Sequence, residues 1–207
     1  MPSVVLLQPD VRVADRLRAL IEGAPEFKVV ASVRNLAQVR EAIDRLLPDV
    51  VVTDLQLPEG LVSDSMPSFR GARVVVIALS ADDPRLLDAL YAGVDGFFSP
   101  GRPLSLLAAI DQVLHGEATM TPLIARKVRQ HFDMKAWGDT DFAGESQNPL
   151  RLSETERQLL RWTCEGFLPG EIARGLHQTV HGVGVRVRTI YRKLQFDVKS
   201  DALSMEV

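Results

Sequence analysis

Over the first 116 residues, short runs of branched apolar residues alternate with amphipathic stretches of about one helix each. This alternation limits the chain to few folds. A strand followed by a helix cannot pair with the next strand in the antiparallel sense through a tight turn; it returns parallel, with the helix covering the sheet. The runs SVVLL (3–7), KVVASV (28–33), VVVTD (50–54), ARVVVIAL (72–79) and GFF (96–98) read as strands. The segments 13–23, 36–47, 83–93 and 104–116 carry apolar residues at helical spacing, as Val13, Leu17, Leu20 and Ile21 do in the first. The runs 50–52 and 74–77 lack polar alternation, as strands buried on both faces should. Between Pro58 and Arg73 the helical signal is poor, so the third crossover is expected to be short or irregular. The expectation is a five-stranded parallel α/β domain over 1–118.

The remainder has a different rhythm. Residues 121–136 read as a helix with Thr121 as cap and Pro122 in its first turn. Residues 137–149 have the composition of an exposed linker, so 119–149 is expected to be a helix plus a flexible connection. From 150 to 207 four helices are expected, over 153–166, 169–176, 180–194 and 199–206. The first opens on a Ser153-x-x-Glu156 capping box. The second and third are separated by a short turn at 177–179, the spacing of a helix-turn-helix.

Three stretches in order, LSETERQLLRWTCEG, EIARGL and GVGVRVRTIYRKL, together with VVVTDLQLP and ALYAGVDGFF, resemble the response regulators of the LuxR/NarL/FixJ type. The resemblance runs from about Val4 to Ala202. It implies a flavodoxin-like receiver domain followed by an all-α tetra-helical domain that binds double-stranded DNA, a homodimer, and a histidine kinase or another regulator as protein partner. It also implies that Asp54, at the end of the third strand, stands where the family accepts a phosphoryl group.

Around Asp54 the chain departs from the family pattern. The family places two acids after the first strand to hold a divalent cation, because hard oxygen ligands suit Mg²⁺. Here those positions are Gln8 and Pro9, and Asp10 comes one residue late. The hydroxyl expected after the fourth strand is Ala78, the lysine after the fifth is Pro100, and the aromatic switch position is Phe97, without a phenol oxygen. The expectation is a degenerate receiver pocket, with weak or no Mg²⁺ binding, no cofactor, and control that does not depend on phosphorylation of Asp54.

On a helical wheel, Val180, Val183, Val187, Ile190 and Leu194 share one stripe and should pack inward. The opposite side carries His181, Val185, Arg188, Thr189 and Arg192, flanked by Arg186 and Lys193. Between Arg174 and Lys199 six basic residues face a single acid, Asp197, in a chain whose net charge is -3. A local basic patch on the second helix of a helix-turn-helix suits duplex DNA. Val185 is placed for a thymine methyl and Arg188 for guanine; Thr189, Arg192 and Lys193 suit phosphates, and His181 stands near the helix start. Gly182 and Gly184 occupy positions where the family commonly has Thr and Lys, and each weakens the helix by about 1 kcal/mol relative to alanine.

Other chemistry finds little support. His177 and His181 are four apart, but no third ligand lies near, so no metal site is expected. Cys164 is the single cysteine and cannot form an internal disulfide; with no apolar run long enough to span a membrane and no leader pattern, a cytoplasmic protein is expected. No nucleophile elbow or glycine-rich phosphate loop appears, and no enzyme activity is expected. Two other readings stay open. One is a protein-interaction regulator that acts through its receiver surface with weak DNA binding. The other is a receiver that senses a small ligand.

Overall fold

The computed structural model describes residues 1–80, 83–99, 105–138 and 151–205, apart from the side chains of 134–138 and 199–205. The chain divides into two compact units, Met1–Gly116 and Glu117–Val207. The linker expected at 137–149 is helical at its first two residues, which continue the helix before it, and from 139 on lies outside the described residues, as does Pro100.

The N-terminal unit contains β1 (Ser3–Leu7), α1 (Val11–Glu22), β2 (Lys28–Val33), α2 (Leu36–Leu46) and β3 (Val50–Asp54). A two-residue hairpin pair follows, β4 (Gln56–Leu57) and β5 (Gly60–Leu61), and then α3 (Val62–Ser65) with a 3₁₀ turn at Met66–Phe69. The unit closes with β6 (Arg73–Ile77), α4 (Pro84–Ala92), β7 (Gly96–Phe98) and α5 (Leu106–Leu114). The five long strands pair in parallel in the order β2-β1-β3-β6-β7. The sheet is the one the strand pattern predicts. The third crossover is the irregular one, because Pro67 and the small polar residues around it cannot sustain a longer helix.

The sheet interior is almost wholly apolar. Val4, Leu6, Val50, Val52 and Val75 meet Ile21 of α1 and Leu106, Ala109, Ile110 and Val113 of α5 on one face. Each such side chain contributes roughly 1.5–3 kcal/mol when removed from water. Local polar contacts end the elements. Asp10 caps α1 by accepting from the Arg12 and Val13 amides at 2.8 and 3.3 Å. The Arg73 guanidinium donates to the carbonyls of Val113, at 2.5 Å, and Leu114, closing the C-terminal end of α5. Asp49 accepts from the Ser3 amide and hydroxyl at 2.7 and 2.9 Å, which holds its carboxyl below the usual carboxylate range.

The C-terminal unit consists of α6 (Pro122–Gly138), α7 (Glu154–Glu165), α8 (Pro169–Gly175) and α9 (Val180–Met205). Here the structure corrects the expected break after Leu194. The two expected helices, 180–194 and 199–206, run together as one from Val180 to Met205, the last described residue, since Gln195–Val198 contains neither proline nor glycine to stop it. The helix over 122–138 belongs to this unit. It packs on α7, with Arg126 Nη2 donating to the Cys164 carbonyl at 3.2 Å, and reaches α9 through His131 Nε2 and Asp197 Oδ2, 2.6 Å apart. In α8, Gly175 lies against the Trp162 indole so closely that a Cβ there would fall 2.7 Å from two ring carbons.

Gly96 has a comparable role in the N-terminal unit. A Cβ at this position would sit 2.5 Å from Val113 Cγ2, so the absence of a side chain lets β7 and α5 close on each other. Gly96→Ala is expected to destabilise the protein by about 1–3 kcal/mol in urea unfolding, the usual cost of overpacking. Val113→Ala should recover part of that loss in the double variant, because the added methyl then fills the space vacated; strict additivity of the two substitutions would contradict the contact.

Candidate nucleic-acid interface and receiver pocket

The pocket around Asp54 follows from strand register. β1 and β3 pair with Leu7 opposite Thr53, so the residues that follow, Gln8 and Asp54, emerge side by side at the C-terminal ends of neighbouring parallel strands. Gln8 is buried and Asp54 half-buried. Gln8 Nε2 donates to Asp54 Oδ2 at 2.6 Å, and Gln8 Oε1 accepts from the Asp10 amide at 3.1 Å. Burial raises the Asp54 pKa above its ordinary value of 3.8, and the Gln8 hydrogen bond pulls it partly back. Pro9 and Asp10 are exposed, and the Asp10 carboxylate is turned to the α1 amides. Ala78 is fully buried and donates its amide to the Phe98 carbonyl at 2.9 Å; Phe97 is buried in β7.

One Asp54 oxygen already receives an amide proton, the neighbouring side chain is a neutral carboxamide, and the second nearby acid serves as a helix cap. Among the described residues no three His, Cys, Asp or Glu side chains gather into a possible metal set.

The second candidate surface lies on α9. Its packing side consists of Val183, Val187, Ile190, Tyr191 and Leu194, all buried. Val180, expected on this stripe, is exposed instead, because it precedes the first full turn. Tyr191, which the wheel did not assign to the stripe, is completely buried; its hydroxyl donates to the Thr119 carbonyl at 2.8 Å, and burial pushes its pKa far up. The entry to the helix is built by the turn before it. His177 takes a left-handed backbone, the Gln178 amide bonds back to the Ala173 carbonyl at 2.8 Å, and Thr179 Oγ1 caps the Gly182 amide at 3.0 Å.

The residues expected to face DNA fall into two groups. Val185 and Arg192 are exposed, and Arg188 is partly so. Arg188 is not free either, since it acts electrostatically on Tyr191, and the others hydrogen-bond within the unit. Lys193 Nζ is 2.7 Å from Glu156 Oε2 and donates to the Arg151 carbonyl at 2.9 Å, with Glu156 itself buried. Arg186 Nε donates to Gln178 Oε1 at 2.8 Å, and the Thr189 hydroxyl to the Val185 carbonyl at 3.0 Å. His181 Nδ1 lies 2.6 Å from Glu117 Oε1. Sequence reasoning missed Glu117 and the second role of Glu156, because both partners of α9 are distant in sequence, 64 and 37 residues away. Cys164 is partly buried, which pushes its thiol pKa up, while Arg129 and Arg126 pull it down. No described helix is long and apolar enough to cross a membrane.

No family model matches the chain. Among curated proteins it is similar to the nitrate/nitrite response regulator protein NarL of Escherichia coli, 26% identical over 211 residues, covering 97% of this chain and 93% of NarL. It is 27% identical over 208 residues to the DNA-binding transcriptional activator DevR/DosR of Mycobacterium tuberculosis, covering 98% and 92%. Among solved structures, a LuxR-family two-component response regulator from Aurantimonas superposes with a TM-score of 0.53 at 27% identity, over 62% of this chain and 96% of that one.

Because the folded protein holds the Asp54 proton more tightly than the unfolded chain, the carboxylate weakens the fold once pH rises through its raised folded pKa. Asp54→Asn, which can keep the Gln8 contact without the charge, should therefore raise stability at neutral pH. The gain should fade as pH falls towards 3.8, the ordinary Asp value. Denaturant unfolding at a series of pH values checks this, and a pH-independent difference would contradict it.

Proposed function

We propose that this response regulator of the LuxR/NarL type is a transcriptional regulator that binds duplex DNA through α9 and whose output does not require phosphorylation of Asp54. The likeness over nearly the whole chain to DevR/DosR, named a DNA-binding transcriptional activator, and to NarL supports the first part. The exposed face of α9 supports it further: Val185, Arg188 and Arg192 lie on the side of the helix away from Val183, Val187 and Ile190. In a helix-turn-helix, the second helix enters the major groove and arginine is the usual reader of guanine. On this reading Arg188 and Val185 meet base edges, and Arg192 meets phosphate. His181 and Thr189 stand beside them. Lys193 and Arg186 contribute positive potential more than direct contact, since both are held within the unit.

The second part is carried by the Gln8–Asp54 hydrogen bond. A phosphoryl transfer to a carboxylate needs a cation to neutralise the moving charge. At this site one Asp54 oxygen receives an amide proton, and among the described residues no cluster of three His, Cys, Asp or Glu side chains is there to hold an ion. A receiver domain of this kind presents a fixed surface, for a second copy of the chain or for another regulator. A homodimer matches two half-sites on DNA through the shared symmetry of protein and operator.

Two measurements test the parts separately. Replacing both Arg188 and Arg192 by Glu should weaken binding to duplex DNA at least about thirtyfold, given roughly 1–3 kcal/mol for each contact. If binding persists in the double variant, the DNA reading of α9 fails and a protein-interaction role gains ground. Incubation with acetyl phosphate and Mg²⁺ should leave the intact mass unchanged. A stoichiometric gain of about 80 Da that Asp54→Ala abolishes would refute independence from phosphorylation.

A further inference from the structure

The segment that opens the C-terminal unit lies along the leading edge of α9. Three contacts fix it. Glu117 Oε1 is 2.6 Å from His181 Nδ1; the Ala118 amide donates to the Gly184 carbonyl at 3.0 Å; and the Thr119 carbonyl accepts from the Tyr191 hydroxyl at 2.8 Å. On α9 the positions touched, 181, 184 and 191, follow one another at helical spacing and border the line of Val185, Arg188 and Arg192. The Glu117 side chain is only 16% exposed although it is an acid in an otherwise basic neighbourhood, and Ala118 is buried.

Gly184 explains how the segment can come this close. A Cβ built there would lie 2.7 Å from Glu117 Oε2, 3.0 Å from its Cβ and 3.1 Å from its Cγ. A methyl group at this position would displace the Glu117 carboxylate and crowd its Cβ and Cγ. At Gly182 the corresponding atom would meet only Thr179 Oγ1 at 3.3 Å and parts of the Gln178 side chain, so that glycine does not serve the same contact. The two glycines therefore differ in kind: one sits beside a cap, the other forms a notch for an acidic side chain.

We infer that Glu117–Thr119 is a strap that masks the DNA-facing edge of α9, seated in the Gly184 notch, with the Glu117 carboxylate occupying space that a backbone phosphate of DNA would approach. The inference rests on the DNA-binding reading above. The residues at the start of a recognition helix are those that enter the groove, and an acid held there opposes phosphate electrostatically as well as sterically. DNA and strap then compete for His181 and for the open side of Gly184. Each must weaken the other by the same factor, since the coupling is reciprocal.

The test uses the full chain and a mixed-sequence duplex of about 30 base pairs at low salt, where non-specific binding is strong. Affinity is read by fluorescence anisotropy, and strap closure by hydrogen exchange of the Ala118 amide. Glu117→Ala and Gly184→Ala should each tighten binding on the order of five- to tenfold and speed exchange at Ala118; saturating duplex should speed it in the wild type. Gly182→Ala controls for the better helix formation of alanine, and Glu154→Gln for the loss of one negative charge; neither should reproduce the effect. The strap is overturned if Ala118 exchanges freely in the wild type, if saturating duplex leaves its protection unchanged, or if Gly182→Ala tightens binding as much as Gly184→Ala. A wild type that binds duplex while Ala118 stays protected sinks the strap alone. Absence of binding in every form, the released variants included, sinks both the strap and the reading beneath it.

Discussion

Parallel pairing of β1 with β3 is the constraint on which the receiver pocket depends. Once Leu7 lies opposite Thr53, whatever follows β1 must emerge beside Asp54. A carboxylate at that depth is disfavoured by burial and needs either a cation or a hydrogen-bond donor close by. This chain supplies a donor. Gln8 is neutral, so it does not cancel the charge, yet its amide proton takes the oxygen nearest to it at 2.6 Å. Its other end accepts from the Asp10 amide, and Asp10 in turn caps α1, so the side chain that meets Asp54 is held at both ends. The contact is thereby coupled to the start of the first helix and differs from a surface pairing free to come and go.

The C-terminal unit resolves a different conflict. The helix α9 carries cations on its surface, but the same helix must pack. Tyr191 and four aliphatic residues fill one side completely. Lys193 lies at the boundary and goes inward, to an acid already engaged in the capping box of α7: Glu156 accepts from the Ser153 amide at 2.6 Å and from Lys193 at 2.7 Å. A buried carboxylate with two partners is tolerable, whereas removing one partner from such a pair typically costs about 3–5 kcal/mol. The position of α7 on α9 thus depends on a lysine that a wheel diagram alone would give to solvent.

The sheet was legible because apolar runs of a few residues with helical stretches between them admit little else, and the caps at Thr121 and Ser153 were legible because their partners lie three residues away. The continuity of α9 past Leu194 was not, since a weak amphipathic pattern without glycine or proline is compatible with either a loop or a helix. That Gln8 and Pro9 stand where the resemblance leads one to expect acids was legible by position, but the 2.6 Å bond from Gln8 to Asp54 was not, because it joins residues 46 apart. The same limit hid Glu117 and Tyr191: side-chain partners across many tens of residues leave no periodic trace. Gly184 had a trace, a glycine in mid-helix where propensity argues against it, and the helix-weakening reading of it stopped one step short of the packing reason.

Gln8 on Asp54, Glu117 on His181 and Glu156 on Lys193 share a logic. In each of these three pairs, a side chain that the sequence offers to an outside ligand, whether cation or phosphate, is met first by a group of the same chain. Hydrogen bonds to charged groups are worth roughly 1.5–3 kcal/mol each, so an incoming ligand must exceed that before it gains anything. Where the internal partner is buried and held at both ends, as with Gln8 and Glu156, exchange would disturb the fold, and the internal state persists. Where it is carried on a chain segment that begins a unit, as with Glu117, exchange costs only that segment's own contacts. On the reading proposed above, competition of that kind leaves the receiver pocket fixed and makes the leading edge of α9 the place where a ligand can change the protein's state.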